Sequence, residues 1–403
     1  MSLRLASRLS AVQPSATIAA TARAAEMRAA GHQVLGLTAG EPDFATPAHI
    51  QAAAQAAMAA GETKYTAVDG TPLLKEAIQD KFRRENGLDY ALDEIIAGTG
   101  AKQVIFNALM ALVEPGDEVI IPTPAWVSYA DIVRLAGGVP VFLPTAPETG
   151  FRLDPKALAE AITPATRVCM LNSPNNPTGA LLPEATLSEI GQVLEKSPRV
   201  FTITDDIYEH LIYTDTAFAS LAAVCPGIKE RVLTVNGVSK AYAMTGWRLG
   251  YGAGPAPLIA AMKTLQSQST TGPSSISQAA AAAALMGGLH ETEAMRSVFQ
   301  TRRDRMVHAL SAVNGLSVFR PDGAFYLFIG LAGLIGGRTP DGKTLETEAE
   351  IVDHIIASAG VVGVGGAGFG MSPYIRLSFA AADDVLELAA ERLTKCCNSI
   401  RMD

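Results

Sequence analysis

Cysteine is scarce, with four in 403 residues, and no CxxC spacing occurs. A disulfide framework or a cysteine-ligated zinc site is therefore excluded. Cys169 and Cys225 stand singly among apolar residues, and Cys396 and Cys397 are adjacent. Reduced thiols and a cytoplasmic location are the expectation. Histidine is equally sparse: the six present show no metal-ligand spacing, so no metal is expected and His210 reads as structural. A basic excess is missing too. The net charge is −8, which argues against nucleic acid or an anionic membrane as partner. No apolar run reaches the ~18 residues of a membrane helix. The 36 glycines and 23 prolines are dispersed, so collagen-like and low-complexity readings fail. Met1–Arg8 faintly resembles a transit peptide, but Pro14–Thr17 follows at once and reads as part of the mature fold.

What is present is a chain 48% hydrophobic, enough for a large buried core, at a length that suggests two to three domains. An Ala-rich helix is expected over 18–30 and a short strand over 34–37, then helices near 47–60 and 72–86. From there short apolar strands (119–121, 139–142, 168–171, 200–204, 233–235, 249–251) alternate with helices (from 102, 127–136, from 155, 183–196). Asp154-Pro155 is an N-cap followed by proline at the first helical position. Alternation of this kind means an α/β fold: a mostly parallel sheet with helices on both faces. After 255 the pattern changes to a long helical region (255–313), then strands at 316–319, 324–329, 361–364 and 374–380 with helices near 346–358 and 383–397. That is a smaller α+β domain. The expected organisation is 1–45 as an N-terminal segment and lid belonging to the small domain, 46–290 as the large domain, and 291–403 as the small C-terminal domain.

Gly363–Gly368 satisfies GxGxxG, but a dinucleotide site requires a helix directly after it in a βαβ unit. Here Phe369–Pro373 and a strand follow, so the run reads as a glycine-rich connection, and a nicotinamide oxidoreductase is set aside. The informative residues stand at strand ends. Lys240 follows Ser239 in a loop with no other charge before Arg248. A lysine in an apolar loop has a lowered pKa and can act as a Schiff-base nucleophile. Asp205-Asp206 ends the 200–204 strand, with Tyr208 just beyond, and a carboxylate there suits a cation. Asn172–Gly179 (NSPNNPTG) ends another strand in turn-forming residues. Three such features at successive strand ends argue for one shared site, because parallel sheets bind ligands there.

This set resembles the class I pyridoxal-phosphate-dependent aminotransferases of fold type I, in the bacterial aspartate and aspartate/prephenate branch. The resemblance rests on Pro14–Thr17, Leu37–Phe44, Lys64-Tyr65, Gly100–Asn107, Asn172–Gly179, Thr204–His210, Val235–Gly252, Gly323–Tyr326 and Tyr374–Ala380. It implies pyridoxal 5'-phosphate held covalently on Lys240, with Asp205 paired to the ring nitrogen. Tyr208 and Asn176 would bond the ring's phenolic oxygen, and Trp126 would stack on the ring. The phosphate would meet Gly100, Ala101 and Lys102 at a helix start, together with Ser239 and Arg248. Tyr65 would reach the phosphate from the neighbouring subunit, making a homodimer with shared active sites. Arg376 would clamp the substrate α-carboxylate beside Gly40. Lys102, Ser15 and Thr17 would meet a distal carboxylate. The implied substrates are a small amino acid, aspartate or glutamate, and a 2-oxo acid, 2-oxoglutarate or oxaloacetate, in ping-pong transamination.

The chain departs from that pattern in places. Gly237 stands where some relatives carry a phosphate-binding serine, Ala125 replaces an aromatic residue, and Gln13 stands where close relatives carry lysine. The last difference leaves open whether prephenate or a neutral amino acid is the substrate. A lyase on the same fold is the alternative chemistry. A regulator borrowing the domain would need an added DNA-binding module, for which the sequence leaves no room.

Overall fold

The computed structural model describes residues 3–12 and 14–402. Its main feature is a seven-stranded sheet. The strands lie in the order Ile95–Gly98, Gly250–Ala253, Val232–Gly237, Phe201–Asp205, Thr166–Asn172, Glu118–Thr123, Val139–Pro144. All pairings are parallel except those of Gly250–Ala253, which is antiparallel to both neighbours. Alternate side chains point to opposite faces, and the core divides accordingly. Val119, Val168, Met170, Leu233 and Val235 pack on one side with Ile105, Leu109 and Met262 from the helices Ala101–Leu112 and Ala256–Ser267. Ile120, Cys169, Leu171 and Val232 pack on the other with Ile78, Leu187, Ile190 and Ala281. Helices on both faces are why the inner strands are apolar almost throughout.

Local chemistry sets the element ends. The helix Pro72–Asn86 begins after Thr71, whose hydroxyl accepts from the Leu74 amide, has proline at its first position, and stops at Gly87 in a left-handed conformation. Asp154 caps Pro155–Ala161 by accepting from the Lys156 amide.

A second core gathers Phe299, Met306, Phe325, Ile355, Leu377 and Leu393 with Tyr208 and Leu211 from the loop after Asp205. It surrounds a four-stranded antiparallel sheet ordered Val364–Gly365, Tyr374–Ser378, Tyr326–Gly330, Ser317–Val318. Leu35–Gly36 pairs in parallel with Val361–Val362 as a separate ribbon, which ties the N-terminal segment to this C-terminal part.

Three expectations need correction. Ile95–Gly98, an edge strand, was not anticipated: four residues bounded by glycine give little periodic signal. The helical region 255–313 is three helices, Ala256–Ser267, Ser275–Met286 and His290–Ser311. Gly272-Pro273 and Gly287-Gly288 break it. The strand expected at 361–364 is two, in different sheets, because Gly363 lies between them packed against Ile375 and Leu377 with no room for a side chain. The GxGxxG run ends in a short 3-10 turn, Gly366–Phe369, followed by a strand, as the glycine-rich connection requires.

Candidate active site

A cavity of about 270 Å³ opens at the carboxyl ends of the parallel strands. Lys240, Asp205, Asn172 and Asn176 line it from the large sheet, Arg376 and Tyr326 from the small one, and Ser15 and Thr17 from the N-terminal segment. Ala101, Lys102, Trp126, Tyr208, Ser239, Arg248 and Gly40 complete its wall among the residues singled out above. Gly100 caps the helix that Ala101 begins. Tyr65 is not in this cavity: it stands 95% exposed elsewhere on the surface. Gln13 lies outside the described residues.

The phosphate-sized end is built by backbone. Gly100 has φ +83°, conformationally suited to glycine, and a side chain there would strike the Arg248 guanidinium at 2.5 Å. Gly250 lies so close that a Cβ would meet the Ala101 nitrogen at 2.1 Å. Two glycines thus bring the amide-bearing start of Ala101–Leu112 and the charge of Arg248 together, an arrangement that attracts an anion. Arg248 itself is held in a left-handed conformation (φ 52°) and donates to the Thr245 carbonyl at 2.9 Å.

Asp205 is buried, and that burial raises its pKa; the Tyr129 hydroxyl, the Ile207 amide and the Lys240 charge oppose the rise. Tyr129 donates to Asp205 Oδ2 at 2.6 Å and packs edge-on against Trp126 at 5.3 Å. Such a carboxylate, short of a cationic partner, is suited to a positively charged ring nitrogen. Lys240 Nζ donates to the Gly40 carbonyl at 2.6 Å. Burial draws its pKa down to about 8, and the charges of Arg248 and Arg376 add to the effect while Glu41 and Asp205 oppose it. A substantial neutral fraction near physiological pH makes it a nucleophile and base.

Asn172 organises the NSPNNPTG turn: its Oδ1 accepts from the Asn176 amide at 2.8 Å and its Nδ2 donates to the Asp205 carbonyl at 2.8 Å. That leaves Asn176 Oδ1 to accept from Arg376 Nη1 at 2.9 Å. Arg376 Nη2 donates to the Thr38 carbonyl at 2.9 Å, and the guanidinium lies 4.3 Å from the centre of the Tyr326 ring. Its buried Nε has no hydrogen-bond partner among the described residues. The Tyr326 and Tyr208 hydroxyls are bonded at 2.9 Å. Burial first, then this pairing, pushes the Tyr208 pKa well up. Lys102 Nζ sits 4.6 Å from the centre of the Trp126 ring. Desolvation and the Arg248 charge lower its pKa.

Tyr129, Tyr326, Asn172 and Thr38 were assigned no role by sequence reasoning. Asn172 and Gly323–Tyr326 stood inside motifs noted above, and Tyr129 lies three residues after Trp126, so each had a signal of position without one of function. His210 lies with Glu85 and Glu209, whose ligand-type atoms come within 4.8 Å of one another. Lys81 occupies that cluster, bonded to Glu209 and Asn86, and Asn236 also donates to Glu209.

A parallel sheet with a tuned lysine, a buried carboxylate and an arginine clamp at its carboxyl edge is the apparatus of an enzyme that handles amino groups of carboxylic acids. The chain belongs to the aminotransferase class I and II family, whose family model matches residues 32–393, and it is a transaminase. It is 50% identical to an aspartate aminotransferase of Rhizobium meliloti (strain 1021), over 98% of this chain and 96% of that protein. It is also 50% identical to an aspartate/prephenate aminotransferase of Cereibacter sphaeroides, with 98% of each covered. A crystal structure of the R. meliloti aspartate aminotransferase superposes with a TM-score of 0.97 at 49% identity, covering 99% of this chain and all of the other. The Thermus thermophilus aspartate aminotransferase with maleate gives 0.91 at 42%, covering 98% and 100%.

Proposed function

We propose that this chain is a pyridoxal 5'-phosphate-dependent aminotransferase acting on aspartate or glutamate, with 2-oxoglutarate or oxaloacetate as acceptor, in a cytoplasmic homodimer with shared active sites. The observation that carries the reading is the single cavity joining Lys240, Asp205, Arg376 and Lys102. The residues fit the cofactor: a helix start with Arg248 for its phosphate, a buried Asp205 with no ion pair among the described residues for its ring nitrogen, and Trp126 in the cavity wall to stack on its ring. Bound there, the cofactor withdraws electrons from the amino-acid Cα and so acidifies the Cα–H bond. Lys240 Nζ, neutral in part near its pKa of about 8, accepts the Cα proton.

Arg376 holds the α-carboxylate. Two of its five donors are engaged by Asn176 and Thr38, which fixes the guanidinium and leaves three N–H donors for a carboxylate. Lys102, with Ser15 and Thr17, receives the second carboxylate of an acidic substrate. The maleate held by the Thermus thermophilus aspartate aminotransferase is a dicarboxylate, which supports an acidic preference. We take 46–290 as the large domain that carries the cofactor, and 1–45 with 291–403 as the small domain that brings Arg376 and the lid.

A panel of amino donors against 2-oxoglutarate tests the substrate. Aspartate is expected to exceed alanine and phenylalanine in kcat/KM, and Lys102→Ala to cut aspartate about ten- to a hundredfold while sparing neutral donors. A preference for neutral donors, unchanged in Lys102→Ala, would overturn the acidic reading. Prephenate is a second acceptor to include, because a relative at 50% identity is named for it; glutamate with prephenate is the assay.

A further inference from the structure

Tyr65 presents a contradiction of exposure and restraint. Its side chain is 95% exposed, yet the loop bearing it is fastened from beneath by two glutamines that are themselves fully buried. Gln278 accepts from the Thr71 amide at 2.7 Å and donates through Nε2 to Thr66 Oγ1 and the Pro273 carbonyl, each at 2.9 Å. Gln266 donates through Nε2 to the carbonyls of Val68 at 2.6 Å and Ala97 at 2.8 Å. Its Oε1 accepts from Asn107 at 3.1 Å. An exposed loop needs no such fastening to satisfy its backbone, since water does that at little cost.

The partners chosen by Gln266 are the informative ones. Ala97 belongs to the strand that runs into Gly100, and Asn107 to the helix that starts at Ala101. One amide therefore ties the Tyr65 loop to the elements that form this subunit's own anion cradle.

We infer that Gln266 and Gln278 are positioning residues that hold Tyr65 at the height and angle needed to meet the cofactor phosphate of the neighbouring subunit. The inference rests on the shared-site reading proposed above. A single hydroxyl–phosphate contact is lost by a small misplacement, so an uncommitted loop would deliver it poorly. Gln278 bonds Thr71, Thr66 and Pro273 and no element of that cradle among the described residues, so the defect from loosening the loop there must appear in the partner's site, not in the subunit that carries the change.

That displacement is measurable without turnover. The dissociation constant of pyridoxal 5'-phosphate is read by visible absorbance at the Lys240-bearing site of mixed dimers. In one arrangement Lys240→Ala and Gln278→Met share a chain, paired with a wild-type chain. In the other the two substitutions sit on opposite chains. The first should bind about tenfold more weakly than a dimer with Lys240→Ala alone, and the second should match that control. Thr66→Val removes the Thr66 hydroxyl, with its bonds to Gln278 and to the Ala67 carbonyl, and should behave alike if Gln278→Met does not fold. Weakening that stays with the Lys240-bearing chain, or no weakening in either variant, overturns the inference. Tyr65→Phe run in both arrangements separates the two readings. If its loss also stays within its own chain, the shared site itself fails. If its loss crosses to the partner while those of Gln278→Met and Thr66→Val do not, only the positioning role fails.

Discussion

Among single residues, Tyr129 shows how a site is tuned from behind. Its hydroxyl is the only side-chain donor recorded on Asp205 among the described residues, and burial already raises the Asp205 pKa. Tyr129→Phe should raise it further, moving the acid limb of the kcat/KM profile to higher pH and costing about tenfold at neutral pH. An unmoved acid limb would remove Tyr129 from this role. Lys240 carries the opposite sign. Its pKa falls to about 8, so capture of pyridoxal 5'-phosphate by the apoenzyme should rise about tenfold per pH unit below that value and level off above it. Arg376→Ala should weaken acidic and neutral donors alike, by about a hundredfold in kcat/KM, whereas Lys102→Ala should separate them. Parallel losses in both variants would assign Lys102 to the cofactor alone. Lys240, Asp205 and Arg376 were singled out in the sequence, the first two beside strand ends and Arg376 within a stretch that carries the family resemblance. Tyr129 and Tyr326 were not, because an aromatic acquires its function from a hydrogen bond between segments far apart in the chain.

Elements meet tightly where Gly250–Ala253 passes beneath the start of Ala101–Leu112. A Cβ at Gly250 would press on the Ala101 backbone, which no side-chain rotation relieves. Gly250→Ala should therefore displace the helix start, weaken pyridoxal 5'-phosphate binding at least tenfold, and lower stability by about 1–3 kcal/mol. Cofactor titration with thermal unfolding checks this, and unchanged cofactor affinity would show that the helix amides do not hold the phosphate. Strand order explains what the sequence could and could not reveal. Inner strands such as Thr166–Asn172, with Val168 and Met170 on one face and Cys169 and Leu171 on the other, stand out, while Ile95–Gly98 is too short to. The linkers inside 255–313 carried Gly-Pro and Gly-Gly signals that a continuous helical composition obscured.

At the scale of the molecule, two cores meet at one cavity. The N-terminal segment belongs to the second by chain pairing, since Leu35–Gly36 hydrogen-bonds with Val361–Val362, 326 positions away in register. That pairing lay beyond sequence reading. Arg302 adds a polar tie, donating to Asp43 and Asp383 at 2.8 Å each. The loop with Gly40, which receives Lys240 Nζ, is thereby linked to the helix His290–Ser311. All of this converges on one lysine. Borohydride reduction of the enzyme loaded with pyridoxal 5'-phosphate, followed by peptide mapping, tests that convergence most directly. The account predicts one label per subunit, on the peptide containing Ser239-Lys240, and none in Lys240→Ala. Label on any other lysine, or an unlabelled Lys240 in active enzyme, would contradict it.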